Sequence, residues 1–164
     1  MSVKAVLMTG SNMGDREGNL SAALSMLDEA GRVIACSGVY ESEPWGEMGD
    51  GGGNFMNQAV VLETGLVPEE LLDVTQDIER RLGRTVKGEG RGPRVYASRM
   101  IDIDILFYGD MVVDTGRLVV PHPLMGAREF VLMPLAEILP GMRHPVTGKT
   151  VAEMLSELKD KCRV

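Results

Sequence analysis

Residues 98–108 read SRMIDIDILFY, and this stretch constrains the chain more than any other. Aspartate is a poor strand former, yet Asp102 and Asp104 alternate with Ile101, Ile103 and Ile105. As a β-strand, the alternation sends the isoleucines to one face and both carboxylates to the other. A rise of about 3.3 Å per residue sets the two carboxylates about 6.6 Å apart at the backbone. Like charges at that range repel, and a cation between them would resolve the repulsion. The alternative is a half-exposed strand that turns two acids to water. The strand alone leaves both readings open.

A length of 164 residues and a hydrophobic content of 44% suit one compact domain spanning 1–164. No apolar run approaches the roughly 20 residues needed to cross a bilayer, and MSVKAVLMTG has no signal-peptide pattern. A cytoplasmic protein without a membrane partner is expected. Cys36 and Cys162 are far apart and in no ligand-like spacing, so both are expected to be reduced thiols. A net charge of -7 argues against nucleic-acid binding, which needs a cationic surface. The cations are nonetheless concentrated: Arg80, Arg81, Arg84, Lys87, Arg91, Arg94 and Arg99 share one segment with only Glu89 opposing them. That segment runs into the aspartate strand. Guanidinium groups beside paired carboxylates are what a magnesium-bound polyphosphate requires.

Hydrophobic patterning predicts a buried strand over residues 3–9, a glycine-rich turn, and a helix from about Arg16 to Ala30, ended by Gly31. RVIACSGVYESE reads as a second strand, PWGEMGDGGGN as a long loop and FMNQAVVLET as a third strand. Pro68 opens a second helix with Leu71, Leu72, Thr75, Ile78, Glu79 and Leu82 at helical spacing, closed by Gly83. RTVKGEGRGPRVYAS has no period and reads as a long basic loop of the functional kind. A strand over 99–108 follows, then a turn at Gly109 and Asp110 and a short strand over 111–113. TVAE at 150–153 is a capping box for a last helix to about Lys161. The order βαββαβ predicts an α+β fold: a ferredoxin-like layer, its helices on one side of a mostly antiparallel sheet, with C-terminal extensions.

GSNMGD lacks the lysine of a phosphate-binding loop and matches no GxGxxG pattern, so it reads as a tight turn whose glycines admit another segment. His122, boxed by prolines in VPHP, is either a hydrogen-bonded structural residue or part of a site; His144 shows no partner in the sequence. Aromatic residues make up only 4% of the chain, and Trp45, Phe55, Tyr96 and Phe130 lie in loops or near element ends. Such rings near an amide such as Asn57 could sandwich and read a flat heterocycle, or serve the core.

The ordered set TGSNMGDREGNL, VYESEPWG, FMNQAVVLET, IERRLGR, SRMIDIDILFYG and RLVVPHPLMGAREFVLMPLAEI resembles the 6-hydroxymethyl-7,8-dihydropterin pyrophosphokinase family nearly end to end. The resemblance implies transfer of pyrophosphate from ATP to a pterin alcohol in folate biosynthesis, with AMP released. It implies Mg2+ ligands at Asp102 and Asp104, two ions acting with ATP, and catalytic arginines at Arg84 and Arg99. ATP contacts are implied at Gln76, Glu79, Lys87, Ile105, Arg117, His122 and Arg128. The pterin pocket is implied at Ser42, Pro44, Trp45, Phe55, Asn57, Tyr96 and Phe130, with the long loop closing over the site. ATP and the hydroxymethylpterin are then the partners of a monomer. The Gly-Pro-Arg tripeptide here ends at Arg94, with VYAS before Arg99; spacing to the aspartates assigns the catalytic position to Arg99 and leaves Arg94 without a role. Two other classes are weighed against this: a metabolite-sensing module on a ferredoxin-like layer, and a different metal-dependent phosphotransferase. Magnesium-dependent ATP binding separates the first, and the nucleotide product the second.

Overall fold

The structure is a computed structural model and describes residues 2–43, 54–84 and 100–161, with Arg84 described in its backbone only. The expectations placed on Pro44, Trp45, Lys87, Arg94, Tyr96, Arg99 and Cys162 lie outside the described residues. Strands β1 (Val3–Ser11), β2 (Arg32–Cys36), β3 (Tyr40–Ser42), β4 (Phe55–Thr64) and β5 (Asp102–Tyr108) form one antiparallel sheet. Its order is β2-β4-β1-β5, with β3 also on β4. Because β2 and β3 share one edge of β4, the predicted second strand is a single edge segment interrupted at 37–39, where Ser37 turns its backbone and hydroxyl onto Ala59. Taking β2 and β3 as one strand gives the 2-3-1-4 order of a ferredoxin-like layer, with α1 (Arg16–Met26) and α2 (Pro68–Glu79) as its helices.

The central strand β1 is buried on both faces, which its near-continuous apolar run requires. Ala5 and Leu7 join Val60, Leu62, Ile103 and Ile105 against Leu20 and Ala23 of α1 and Leu71 and Ile78 of α2. Val6 and Met8 face the other way, with Ala59, Leu106 and Phe107, against α3 (Glu129–Ile138) and α4 (Val151–Lys161). The ferredoxin-like helices thus keep to one side, and the C-terminal extension adds a third layer on the other. Burying each leucine or phenylalanine contributes about 1.5–3 kcal/mol. A register shift between Val6 and Leu7 bulges β5 at Leu106. Strict alternation would put Phe107 with the isoleucines; the bulge carries it to the α3 side, where it meets the His144 ring in a T-shaped contact with ring centres 5.9 Å apart. His144 therefore has partners the sequence did not reveal, including the N–H groups of Val146 and Thr147 on its Nδ1.

Asp15 caps α1 through the Gly18 N–H, and Asn19 pins the turn before it by donating to the Ser11 hydroxyl and the Met13 carbonyl. The capping box holds: Glu153 accepts from the Thr150 N–H at 2.8 Å, and the Thr150 hydroxyl accepts from the Glu153 N–H at 3.1 Å. α2 widens into a π-turn over Arg80–Arg84, in which Gly83 takes φ 143°. The short strand β6 is Val113–Asp114 and pairs with β7 (Val119–Val120), just before a cis Val120–Pro121 bond. Among the described residues no helix is long and apolar enough to cross a membrane.

Candidate active site

At one end of the sheet, register builds a row of side chains. Asp102 pairs with Gly10, Gly10 with Asn57, and Asn57 with Tyr40. Cross-strand partners share a face, and Asp104 pairs with Met8 of the α3 side, so both carboxylates and Asn57 stand on that face. Both aspartates are half-buried, while Ile101, Ile103 and Ile105 are buried on the other face, as the alternation predicts.

Asn57 is 3% exposed and its orientation is fixed. Its amide nitrogen donates to the Tyr40 carbonyl at 3.2 Å and to the Ser42 hydroxyl at 2.8 Å. With both hydrogens engaged, Oδ1 is what Asn57 can offer a ligand. That oxygen lies over Gly10, where an added Cβ would stand 3.1 Å from it and 3.5 Å from the Phe55 ring. Gly10 is thus a bare floor between the amide and Asp102. Phe130 packs partly buried against the α3-side core, with the Arg128 guanidinium 5.7 Å from its ring centre. A heterocycle stacking on Phe130 would use the face opposite Arg128.

His122 donates its backbone N–H to Leu106, and its Nδ1 accepts from the Leu124 N–H at 3.2 Å. The ring proton of the neutral form therefore sits on Nε2. Burial first, and then Arg128, push the His122 pKa below its ordinary value, with Asp102 acting in the opposite direction. The structural reading of this histidine is what these bonds show: its backbone and Nδ1 are both held, and Arg128 and Asp102 lie close enough to act on its ring.

Glu79 is buried at 4% exposure, and its Oε2 accepts the Ile103 N–H at 2.7 Å. Ile103 lies between the two aspartates, so α2 grips β5 by its backbone at the carboxylate pair. Met100 anchors the start of that strand. A Cβ on Gly14 would meet its Sδ at 3.2 Å, and one on Gly83 would meet its Cγ at 2.6 Å. These are close approaches of the kind the GSNMGD turn was expected to allow. The strand itself begins at Asp102, later than the predicted start at residue 99.

Other assigned residues lie off this face. Ile105 is buried at 4%, so only its backbone is available to a ligand. Gln76 is exposed on α2, while Arg117 binds Asp73 at 2.6 Å and Glu69 at 3.6 Å, tying the β6–β7 turn to the same helix. Arg80 pairs with Asp77, and Arg81 with Glu29 and Asp77; these two members of the cationic segment brace the helix surface. Sequence reasoning missed Gly10, Met100, Tyr40 and Glu137. Gly10 stands in the quoted GSNMGD motif, but its closeness to Asn57 depends on pairing between strands almost fifty residues apart.

Two half-buried carboxylates, a fixed amide acceptor and partly buried aromatic rings form the candidate site of a three-layer α+β domain of ferredoxin-like topology. Residues 6–140 match the family described as 7,8-dihydro-6-hydroxymethylpterin-pyrophosphokinase (HPPK). The chain is 46% identical over 141 residues to the 2-amino-4-hydroxy-6-hydroxymethyldihydropteridine pyrophosphokinase of Porphyromonas gingivalis, covering 85% of this chain and 92% of that protein. It is 39% identical over 155 residues to the protein of the same name from Aquifex aeolicus, covering 93% of this chain and 92% of that one. The chain belongs to the hydroxymethylpterin pyrophosphokinase family, whose activity is a step of folate biosynthesis. A solved Plasmodium falciparum HPPK-DHPS (A437G, with SDX-DHP) superposes with a TM-score of 0.77 at 17% identity, over 99% of this chain and 46% of that one. At that identity the likeness concerns the fold, and this chain spans less than half of the solved protein.

Proposed function

We propose that this chain transfers pyrophosphate from ATP to the hydroxymethyl oxygen of 6-hydroxymethyl-7,8-dihydropterin and releases AMP, acting with Mg2+ as a monomer. The observation that carries the reading is the row Asp102–Gly10–Asn57. Two interstrand spacings, about 9.6 Å, separate the backbones of Asn57 and Asp102, and Asn57 Oδ1 reaches over the bare Gly10 between them. A flat ring read by that oxygen lies along the row, with its hydroxymethyl arm toward Asp102. Oδ1 needs a donor, and the N–H edge of a pterin supplies one.

Asp102 and Asp104 suit magnesium: two carboxylates on one strand face match an ion that takes one or two protein oxygens and completes its shell with substrate phosphates and water. Bound there with ATP, two such ions would neutralise phosphate oxygens and orient them. The hydroxymethyl oxygen attacks the β-phosphorus, the bond from that phosphorus to the α-phosphate bridging oxygen breaks, and AMP leaves with that oxygen. The hydroxyl proton passes to a carboxylate oxygen of Asp104 or to water. Arg84 and Arg99 are assigned to the transferring groups. His122, neutral and carrying its proton on Nε2, is assigned with Arg128 to the ATP phosphates. Ile105 serves ATP with its backbone, Gln76, Lys87 and Arg117 with their side chains, and Glu79 through the strand it holds. Ser42, Pro44, Trp45, Phe55, Tyr96 and Phe130 complete the pterin pocket. Incubation with ATP, magnesium and the reduced hydroxymethylpterin tests the reading: AMP in stoichiometry with pterin diphosphate is expected, and ADP would overturn it.

A further inference from the structure

Helix α3 supplies Arg128 and Phe130 near its N-terminus and Glu137 near its C-terminus. The nine residue steps from Arg128 to Glu137 extend about 13.5 Å at helical rise, close to the about 14.4 Å of three interstrand spacings. Three spacings are what separate Asp102 from Tyr40 along the row. At one end, Arg128 and Asp102 both act on His122. At the other, Glu137 takes three hydrogen bonds from the edge strand. The Tyr40 hydroxyl donates to Oε1 at 2.8 Å, and the Gly38 N–H reaches both carboxylate oxygens at 3.2 Å.

Tyr40 is also the residue whose carbonyl receives the Asn57 amide, and it stands beside Asn57 on the same face. We infer that Glu137 is a positioning residue for pterin recognition, holding Tyr40 so that Asn57 keeps Oδ1 over Gly10 and fixing α3, with Phe130, against that wall. The inference rests on the pterin reading of Asn57 given above. Three observations support it. Tyr40 is the outer neighbour of Asn57 in the row, so its placement limits how far the amide can swing outward. The Tyr40 phenol, hydrogen-bonded to Glu137, has its pKa raised and stays a donor across the working pH range. Finally, Glu137 lies on the far side of the row from the carboxylates, so its removal should leave the metal end of the site undisturbed.

The test is a double-mutant cycle with E137A and N57A, reading by calorimetry the equilibrium binding of Mg-ATP alone and of the pterin with a saturating non-hydrolysable Mg-ATP analogue present. E137A is expected to raise the pterin Kd about tenfold and to change the Mg-ATP Kd by less than about twofold. In the N57A background the same substitution should change the pterin Kd by less than about twofold, because the group it positions is gone. Y40F, which removes one hydroxyl, is the second variant should E137A fold poorly; its expected rise in pterin Kd is about threefold, with the Mg-ATP Kd changed by less than about twofold. E137Q, which retains one acceptor oxygen, should fall between wild type and E137A. Equal losses for both ligands, no loss for either, or a full effect of E137A on top of N57A would each overturn the positioning role. Failure of the wild-type protein to bind the pterin would refute the function itself, a result distinct from wild-type binding that E137A leaves unchanged.

Discussion

Removing the Glu79 carboxylate tests how the aspartate pair is held. The side chain is 4% exposed and its Oε2 receives the Ile103 N–H at 2.7 Å, a length typical of a charge-assisted bond. Glu79→Ala leaves that buried N–H without its acceptor, at a cost of about 1–3 kcal/mol, and opens space where a carboxylate stood. For a chain of this size that cost is a fall of about 2–12 °C in Tm. The larger effect is on turnover. Ile103 separates the two carboxylates, and a displacement on the order of 1 Å at reacting groups costs about a hundredfold. Glu79→Gln keeps an acceptor oxygen and should recover most of both losses. Urea denaturation gives the stability term, and Mn2+ titration followed by electron paramagnetic resonance reads the carboxylate pair independently of turnover. If Glu79→Ala keeps its Tm and its Mn2+ affinity and weakens only ATP binding, the residue contacts the nucleotide directly and the reasoning from the Ile103 bond is refuted.

Three further outcomes are expected. Gly10→Ala places a Cβ 3.1 Å from Asn57 Oδ1, which must move by a few tenths of an ångström against its 2.8 Å bond to Ser42; the pterin KM should rise at least about tenfold while ATP affinity holds, as initial rates will show. Gly83→Ala combines φ 143° with a Cβ 2.6 Å from Met100, so denaturation should show a loss of about 1–3 kcal/mol and turnover should fall with the shift of the β5 start. His122 and His144 both have pKa values below the ordinary 6.5, chiefly through burial, so the unfolded chain binds their protons more readily. Their cost to stability is absent above pH about 6.5 and grows as pH falls toward the folded values. Tm should drop with acidification from pH 7 to 5, and His122→Gln with His144→Gln should flatten that slope relative to wild type.

How much of this was legible in the sequence depends on the range of each interaction. The Ile-Asp alternation placed the carboxylates on the correct face because a strand with one buried face has a period of two, and nothing distant can alter it locally. The same rule fails at Leu106, where a bulge set by the pairing with β1 turns Phe107 to the other core. Helix α3 escaped notice because Pro134 interrupts FVLMPLAEI; the helix persists since Val131, Leu132 and Leu135 are buried on the sheet, and packing there outweighs the missing N–H. The candidate site residues stood out because carboxylates in a strand and rings in an aromatic-poor chain are unusual locally. What holds them did not, because an acceptor for Ile103 from α2 and an acceptor for Tyr40 from α3 look in sequence like any glutamate on a helix. Asn57 shows the same division: its type suggests recognition, but which of its atoms is left for a ligand is decided by Tyr40 and Ser42, which consume both of its donors. On the proposed reading, selectivity for a ligand with a donor edge is a property of the edge strand as much as of the asparagine, and substitutions that leave Asn57 in place are expected to change it.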